Sequence, residues 1–227
     1  MPFIITGTNS SSSIAIWWVA SAGASSYQLE RTINGLHWEL IATTGLTQSY
    51  FTDTGLLAGT WHMYRVRAAN AGGIAPPSLT SIACTLSQIA DWRLANFGTM
   101  EPSGAAASGA VGPDGIANLV KFAFKMSITD GVQDLVPGIG QAGLPHVCVD
   151  PATRRLRVEF VRRKWAANPG VSYEVQFSSD LVGFVPEGAA VQITPIDSVW
   201  ERVVWEDIVS AEQAASRFVR VRLIEIP

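Results

Sequence analysis

The chain has 227 residues, 16 of them basic and 19 acidic, for a net charge of −3, and only 15% of its residues are charged. No segment is basic enough to offer nucleic acid an electrostatic footprint, and no apolar run reaches the ~18–20 residues a membrane helix needs. The N-terminal stretch MPFIITGTNS has neither the charged start nor the apolar core of a signal peptide.

A low charge fraction leaves many uncharged or apolar groups at the surface. Two readings fit: a surface partly covered by partners, or a Ser/Thr/Gly-rich β surface. The charges are unevenly placed. Residues 1–86 carry three basic and three acidic side chains, and residues 146–227 carry ten and eleven. Cys84 and Cys148 lie far apart in sequence, and spacing implies no disulfide. They read as two buried free thiols.

Residues 10–86 alternate like half-buried strands separated by turns. Ile14, Ile16 and Trp18 share one strand face, and Ala15, Trp17 and Val19 share the other. Asn34-Gly35 is a hairpin signal because both residues tolerate positive φ. The stretch HMYRVRAAN points His62, Tyr64, Val66 and Ala68 one way and Met63, Arg65 and Arg67 the other.

The order of these strands, carried by SIAIWWVASAGASSYQLER, FTDTGLLAGTWHMYRVRAANAGG and APPSLTSIACTL, resembles a fibronectin type III domain. The resemblance implies that Trp18 is the core tryptophan of the second strand and that Leu56 packs under the corner loop. It also places His62 where that family has a corner tyrosine, whose hydroxyl bonds back to upstream backbone.

Residues 87–143 change character. SQIADWRLANFG reads as a short helix ended by Gly98, and Ile116 to Lys125 as a second helix buried on several sides. Between them lies the small-residue loop EPSGAAASGAVGPDG, and residues 131–145 form another loop. This section resembles the connector near the C-termini of secreted proteins of the Verrucomicrobia type. In its acidic form that connector carries a calcium loop. Here only Asp114 survives and Lys121 stands where an acidic ligand would close the site, so no calcium is expected.

Residues 144–227 return to alternation. Leu156, Val158 and Phe160 alternate with Arg155, Arg157 and Glu159, and RFVRVRL repeats the Arg-Val-Arg pattern of HMYRVRAAN. The stretch RRKWAANPGVSYEVQFSSDLVGFVP resembles the terminal sandwich of the same secreted proteins. The expected fold is all-β: two antiparallel β-sandwiches, the first fibronectin type III/immunoglobulin-like, joined by a short helical connector. The expected boundaries are 1–86, 87–143 and 144–227.

Chemistry is sparse. His37, His62 and His146 have no second ligand at metal spacing, and His146 with Cys148 lacks further ligands. There is no nucleophile elbow and no phosphate loop. Glu201, Glu206 and Asp207 form the nearest carboxylate cluster and read as strand-end surface acids. Arg162-Arg163-Lys164 reads as the outer face and end of a strand. No catalytic residue, metal or cofactor is expected.

Aromatics are the better lead. Trp17, Trp38, Trp61 and Met63 are the candidate binding residues, as an interface or a sugar platform. For Trp17 the choices are packing against the connector helix, a protein interface, or sugar stacking. The expected role is a non-catalytic structural or adhesion protein of a surface assembly, either an exported bacterial module or a phage virion component. Its partners would be proteins, including further copies of the chain. A carbohydrate-binding accessory module is the alternative. The expected setting is extracellular, at a cell surface or on a virion.

Overall fold

The computed structural model describes residues 2–45, 47–130 and 133–226, so the first two residues of the expected 131–145 loop lie outside it. By its internal contacts the chain divides into Met1–Asp91 and Trp92–Pro227.

Among its described residues the first unit holds eight strands: β1 (Ile4–Thr8), β2 (Ser13–Trp18), β3 (Ser26–Thr32), β4 (Glu39–Gly45), β5 (Tyr50–Thr54), β6 (Trp61–Asn70), β7 (Gly73–Ile74) and β8 (Ser81–Cys84). They form a small sheet, β1-β2-β5, and a larger one, β4-β3-β6-β7, in which β8 also pairs with β6. Every pairing is antiparallel. Alternate residues of the two sheets build one core. Ile4, Ile14, Ile16 and Trp18 come from the small sheet, and Tyr27, Leu29, Tyr64 and Val66 from the larger. Leu56 joins this core, as expected. Asn34-Gly35 turns the chain between β3 and β4, with Gly35 at φ +73°. The Asn34 side-chain carbonyl accepts the backbone N–H groups of Leu36 and His37. These bonds satisfy the loop's own amides, which is why asparagine suits the turn.

The second unit takes in most of α1 (Gln88–Phe97), then α2 (Asn118–Ala123) and seven strands: β9 (His146–Val149), β10 (Arg155–Arg163), β11 (Val171–Ser178), β12 (Val185–Pro186), β13 (Ala189–Pro195), β14 (Trp200–Ser210) and β15 (Phe218–Glu225). These form two antiparallel sheets, β13-β14-β10-β9 and β12-β11-β15. Their shared core is Phe124, Met126, Val158, Phe160, Val175, Phe177 and Val203. The fold is all-β, with few helices.

The helical segment is held by polar groups as much as apolar ones. Gly98 ends α1 at φ +71°, its N–H on the Leu94 carbonyl. Trp92 meets Phe97 and Phe122 edge-on. Arg93 is buried and donates to the Ala106 carbonyl, the Ser108 hydroxyl and Glu225 at the end of β15. The Asn118 amide donates to the carbonyls of Ala105 and Ala107. The small residues of this loop let its backbone close around the two donors, so the loop is a wrapped structure rather than a flexible link.

Four expectations need correction. The cysteines are free, but Cys84 is half-buried and Cys148 exposed, because β9 is an edge strand. Glu206 and Asp207 are buried, not surface acids, since arginines neutralise them. Arg163 does not sit on an outer face. Its guanidinium lies 4.0 Å from the Phe122 ring and 4.3 Å from the Trp200 ring, and burial lowers its pKa to about 10. The second helix is shorter than expected, and it buries Asn118 and Lys121 along with Phe122 and Ala123. Lys121, only 1% exposed, places its Nζ 2.9 Å from Asp114 Oδ1. That ammonium holds the Asp114 carboxyl below the usual carboxylate range.

Candidate functional site: two outer faces of the first sandwich

The outer face of the larger sheet is set by β6. Its burial alternates without a break, so His62, Tyr64, Val66 and Ala68 go to the core and Trp61, Met63, Arg65 and Arg67 face out. Across the strands Met63 pairs with Ile82, Trp61 with Cys84, Arg65 with Glu30, and Glu30 with Leu40. Trp61 is 65% exposed, and Ile82 and Leu40 are also exposed. Trp38 lies under the Arg65 guanidinium, 4.0 Å from its ring centre. Arg65 and Arg67 both bond Glu30. The result is an apolar strip of tryptophan, methionine and isoleucine beside a neutralised Arg-Glu-Arg cluster. Three of the four candidate residues, Trp38, Trp61 and Met63, share this face.

Trp17 belongs to the other sheet. In register it lies between Ile5 and Tyr50, with rings 5.6 Å from Tyr50 at 42°. It is 43% exposed. A side-chain carbon at Gly7 would come within 3.1 Å of its ring, so the indole lies over that glycine. An aromatic ring covering a glycine in an edge strand shields a backbone that would otherwise be bare. Phe3, Ile5, Val19 and Tyr50 are exposed around it. Sequence reading picked out Trp17 alone here. The missed signal is the spacing of charge, because the first charged side chain in the chain is Glu30.

Between the sheets, the corner is rebuilt around His62. The Thr60 hydroxyl donates to the Leu57 carbonyl. Thr60 Oγ1 then accepts from His62 Nε2–H at 3.0 Å, a tautomer assigned by this network. His62 therefore reaches upstream backbone through one threonine. Its Nδ1 is buried with no partner among the described residues. Burial and the nearby Arg31 lower the His62 pKa, against the pull of Asp53. Asp53 in turn accepts two bonds from Arg31 and one from the Tyr64 hydroxyl. The Tyr64 hydroxyl is held protonated by burial and by that carboxylate.

Elsewhere the acids are engaged. Glu206 bonds Arg157, Arg155 and the Thr153 hydroxyl. Asp207 takes a two-pronged bond from Arg217, which also reaches Glu187. Glu201 pairs with Arg162. The described residues contain no cluster of three or more His, Cys, Asp or Glu side chains that could hold a metal.

No family model matches this chain. A poly(3-hydroxybutyrate) depolymerase of Delftia acidovorans is 39% identical over 70 residues, which is 31% of this chain and 13% of that protein. Among solved structures, FN3tt is similar over 37% of this chain and 89% of its own, at 18% identity and a TM-score of 0.34. A Fn3-like protein from Clostridium thermocellum is similar over 37% and 88%, at 29% identity and a TM-score of 0.33.

Proposed function

We propose that the chain is a non-catalytic structural or adhesion module of a larger surface assembly. It docks through the outer face of the larger sheet of its first sandwich. The observation that carries this reading is the strip of Trp61, Met63, Ile82 and Leu40 beside the Arg65–Glu30–Arg67 cluster. Tryptophan, methionine and arginine are the side chains enriched at protein interfaces, where a flat apolar centre meets a polar rim. The carboxylates nearest to a catalytic pair already bond arginines, which supports a role without chemistry. No described helix is long and apolar enough to cross a membrane.

Sedimentation of the whole chain at rising concentration tests the reading, with Trp61→Arg and Met63→Glu as controls. Concentration-dependent association that both variants abolish supports it. A chain that stays monomeric at high concentration, with and without the substitutions, counts against self-assembly through this face.

A second reading is an accessory module that holds a carbohydrate or another polymer. The exposed Trp17 favours a polymer ligand, as does the 39% identity over 70 residues to a protein named for depolymerising poly(3-hydroxybutyrate). Retention on a polysaccharide resin that Trp17→Ala removes would support the carbohydrate form.

A further inference from the structure

We infer that the outer face of the small sheet is an adsorption surface for an uncharged aliphatic polyester; this rests on the second reading above, of a polymer-holding module, and is separate from the protein-docking face. Three observations lead there.

The first is charge. On the outward side of β1, β2 and β5, Ile5, Trp17 and Tyr50 are exposed, Ala15 and Ser13 lie covered, Thr52 and Thr54 follow on β5, and Phe3 and Val19 extend the face at one end. None is ionisable near neutral pH, and Asp53, the one acid of β5, is buried on the other side. A face with no charge and half-exposed aromatic and branched side chains excludes water equally for any partner. It favours one whose own surface has no charge to desolvate. The apolar surface also continues past Phe3 into a hollow of about 280 Å³ bounded by Pro2, Ile4 and Leu79.

The second is area. Three strands about 4.8 Å apart and five residues long, at about 3.3 Å each, cover roughly 250 Å². A stable protein pair buries about 800 Å² on each side. A second copy or a folded partner seated on this face alone would be held weakly. A polymer surface repeats its binding group, so many weakly held copies can cover it.

The third is the hydrogen-bond inventory, which selects polyester over polysaccharide. A sugar ring brings hydroxyls that need partners when water leaves. The outward positions of the three strands carry no Asp, Glu, Asn, Gln or Arg, the Tyr50 hydroxyl and Thr52 Oγ1 already bond each other, and the Ser13 hydroxyl is engaged by Asn9 and Ser10. Trp17 and Tyr50 are tilted at 42°, so they do not make a coplanar platform for successive rings. A polyester presents methyl and methylene groups, and its carbonyls only accept.

The test is adsorption of the full chain to amorphous poly(3-hydroxybutyrate) particles, to microcrystalline cellulose and to chitin powder, each with and without 1 M NaCl. Expected are saturable binding to the polyester, indifference to salt, and a loss of about tenfold or more in Ile5→Glu. Ile193→Glu, on β13 of the second sandwich, should bind as the parent chain does. Val19→Glu, just past the end of β2, gives the same reading if Ile5→Glu fails to fold by circular dichroism. Several results would overturn the inference: binding to cellulose or chitin but not polyester, equal binding by Ile5→Glu and Val19→Glu, release by salt, or equal loss in Ile193→Glu. So would a solution dimer that Ile5→Glu or Val19→Glu dissociates.

Discussion

The two sandwiches follow one strand alternation and treat charge in opposite ways. The first has three basic and three acidic side chains in residues 1–86, and the second has ten and eleven in residues 146–227. In the first, the few charges meet in two clusters, Arg31–Asp53–Glu39 and Glu30–Arg65–Arg67, and the outer faces are left largely apolar. In the second, arginines and acids tile the strands and some go inside, as with Arg217–Asp207 and Arg202–Glu159. The difference teaches that alternation sets where a side chain points, while the outward residues decide what the surface is for. An outer face of paired charges is made for water. One of tryptophan, isoleucine and tyrosine presents apolar surface to solvent.

The comparison breaks hardest at Asp207. Its side chain is fully buried under a two-pronged bond from Arg217. Asp207→Ala leaves that guanidinium buried without its main partner, and a loss of about 3–5 kcal/mol in denaturant unfolding is expected. The paired change Asp207→Leu with Arg217→Met should recover most of that loss, because two apolar groups need no partners. If the single variant costs less than about 1 kcal/mol, internal ion pairing is not what distinguishes the second sandwich.

A smaller effect sharpens the other side. Trp17 is half-exposed, yet it covers Gly7 and packs against Tyr50. Trp17→Ala should cost about 1 kcal/mol, the scale of a cross-strand aromatic pair. A value near zero would mean the ring is held out purely for a partner. A thermal melt of both chains decides it.

Much of this was legible in the sequence, for a definite reason. Strand faces obey a period of two, so which residues of β6 share a face follows from spacing, while the core role of Trp18 comes from the resemblance to a fibronectin type III domain. The corner was legible as a problem, a histidine in a tyrosine's place, but not as its solution. The Thr60 relay depends on a loop bringing Leu57 back over the strand. What periodicity cannot show is a charge that finds its partner at a distance. Arg93 meets Glu225 across 132 positions, and Arg163 lies between rings from two other elements. Such residues read as surface until the fold closes over them. The uncharged face was readable in principle. It appears as a missing residue type over a long run, which a search for motifs passes over.

Acid should separate the sandwiches next. The His62 pKa lies below its unfolded value of 6.5, because burial and Arg31 disfavour the imidazolium. A group lowered on folding contributes stability that is full above its unfolded pKa and is lost as pH falls through the folded one. The first sandwich should therefore begin to weaken below about pH 6.5. In the second, Asp180 is held at about 2 by the backbone N–H groups of Gly183 and Val182 and by the Ser178 hydroxyl. Its contribution is lost only as pH falls from about 4 toward 2. Urea midpoints at pH 7, 6 and 5 should drop for the parent chain and stay flat for His62→Gln. An equal drop in both would assign the acid sensitivity to another group.

The smallest effect lies at the outermost charge. Arg222 is 57% exposed at its side chain and stands 3.4 Å from Glu174, which is itself one-third exposed. Water screens such a pair, and holding two long side chains together costs conformational entropy, so exposed pairs contribute about 0–1 kcal/mol. Arg222→Ala should shift stability by less than about 0.5 kcal/mol. Its consequence should lie in association instead. Outward arginines on β15, an edge of its sheet, oppose edge-to-edge pairing between copies. Light scattering on Arg222→Ala combined with Arg220→Ala should therefore show slow aggregation, with the melting temperature almost unmoved. If melting moves and scattering does not, the outer arginines of the second sandwich serve its stability, and the contrast with the first is one of degree.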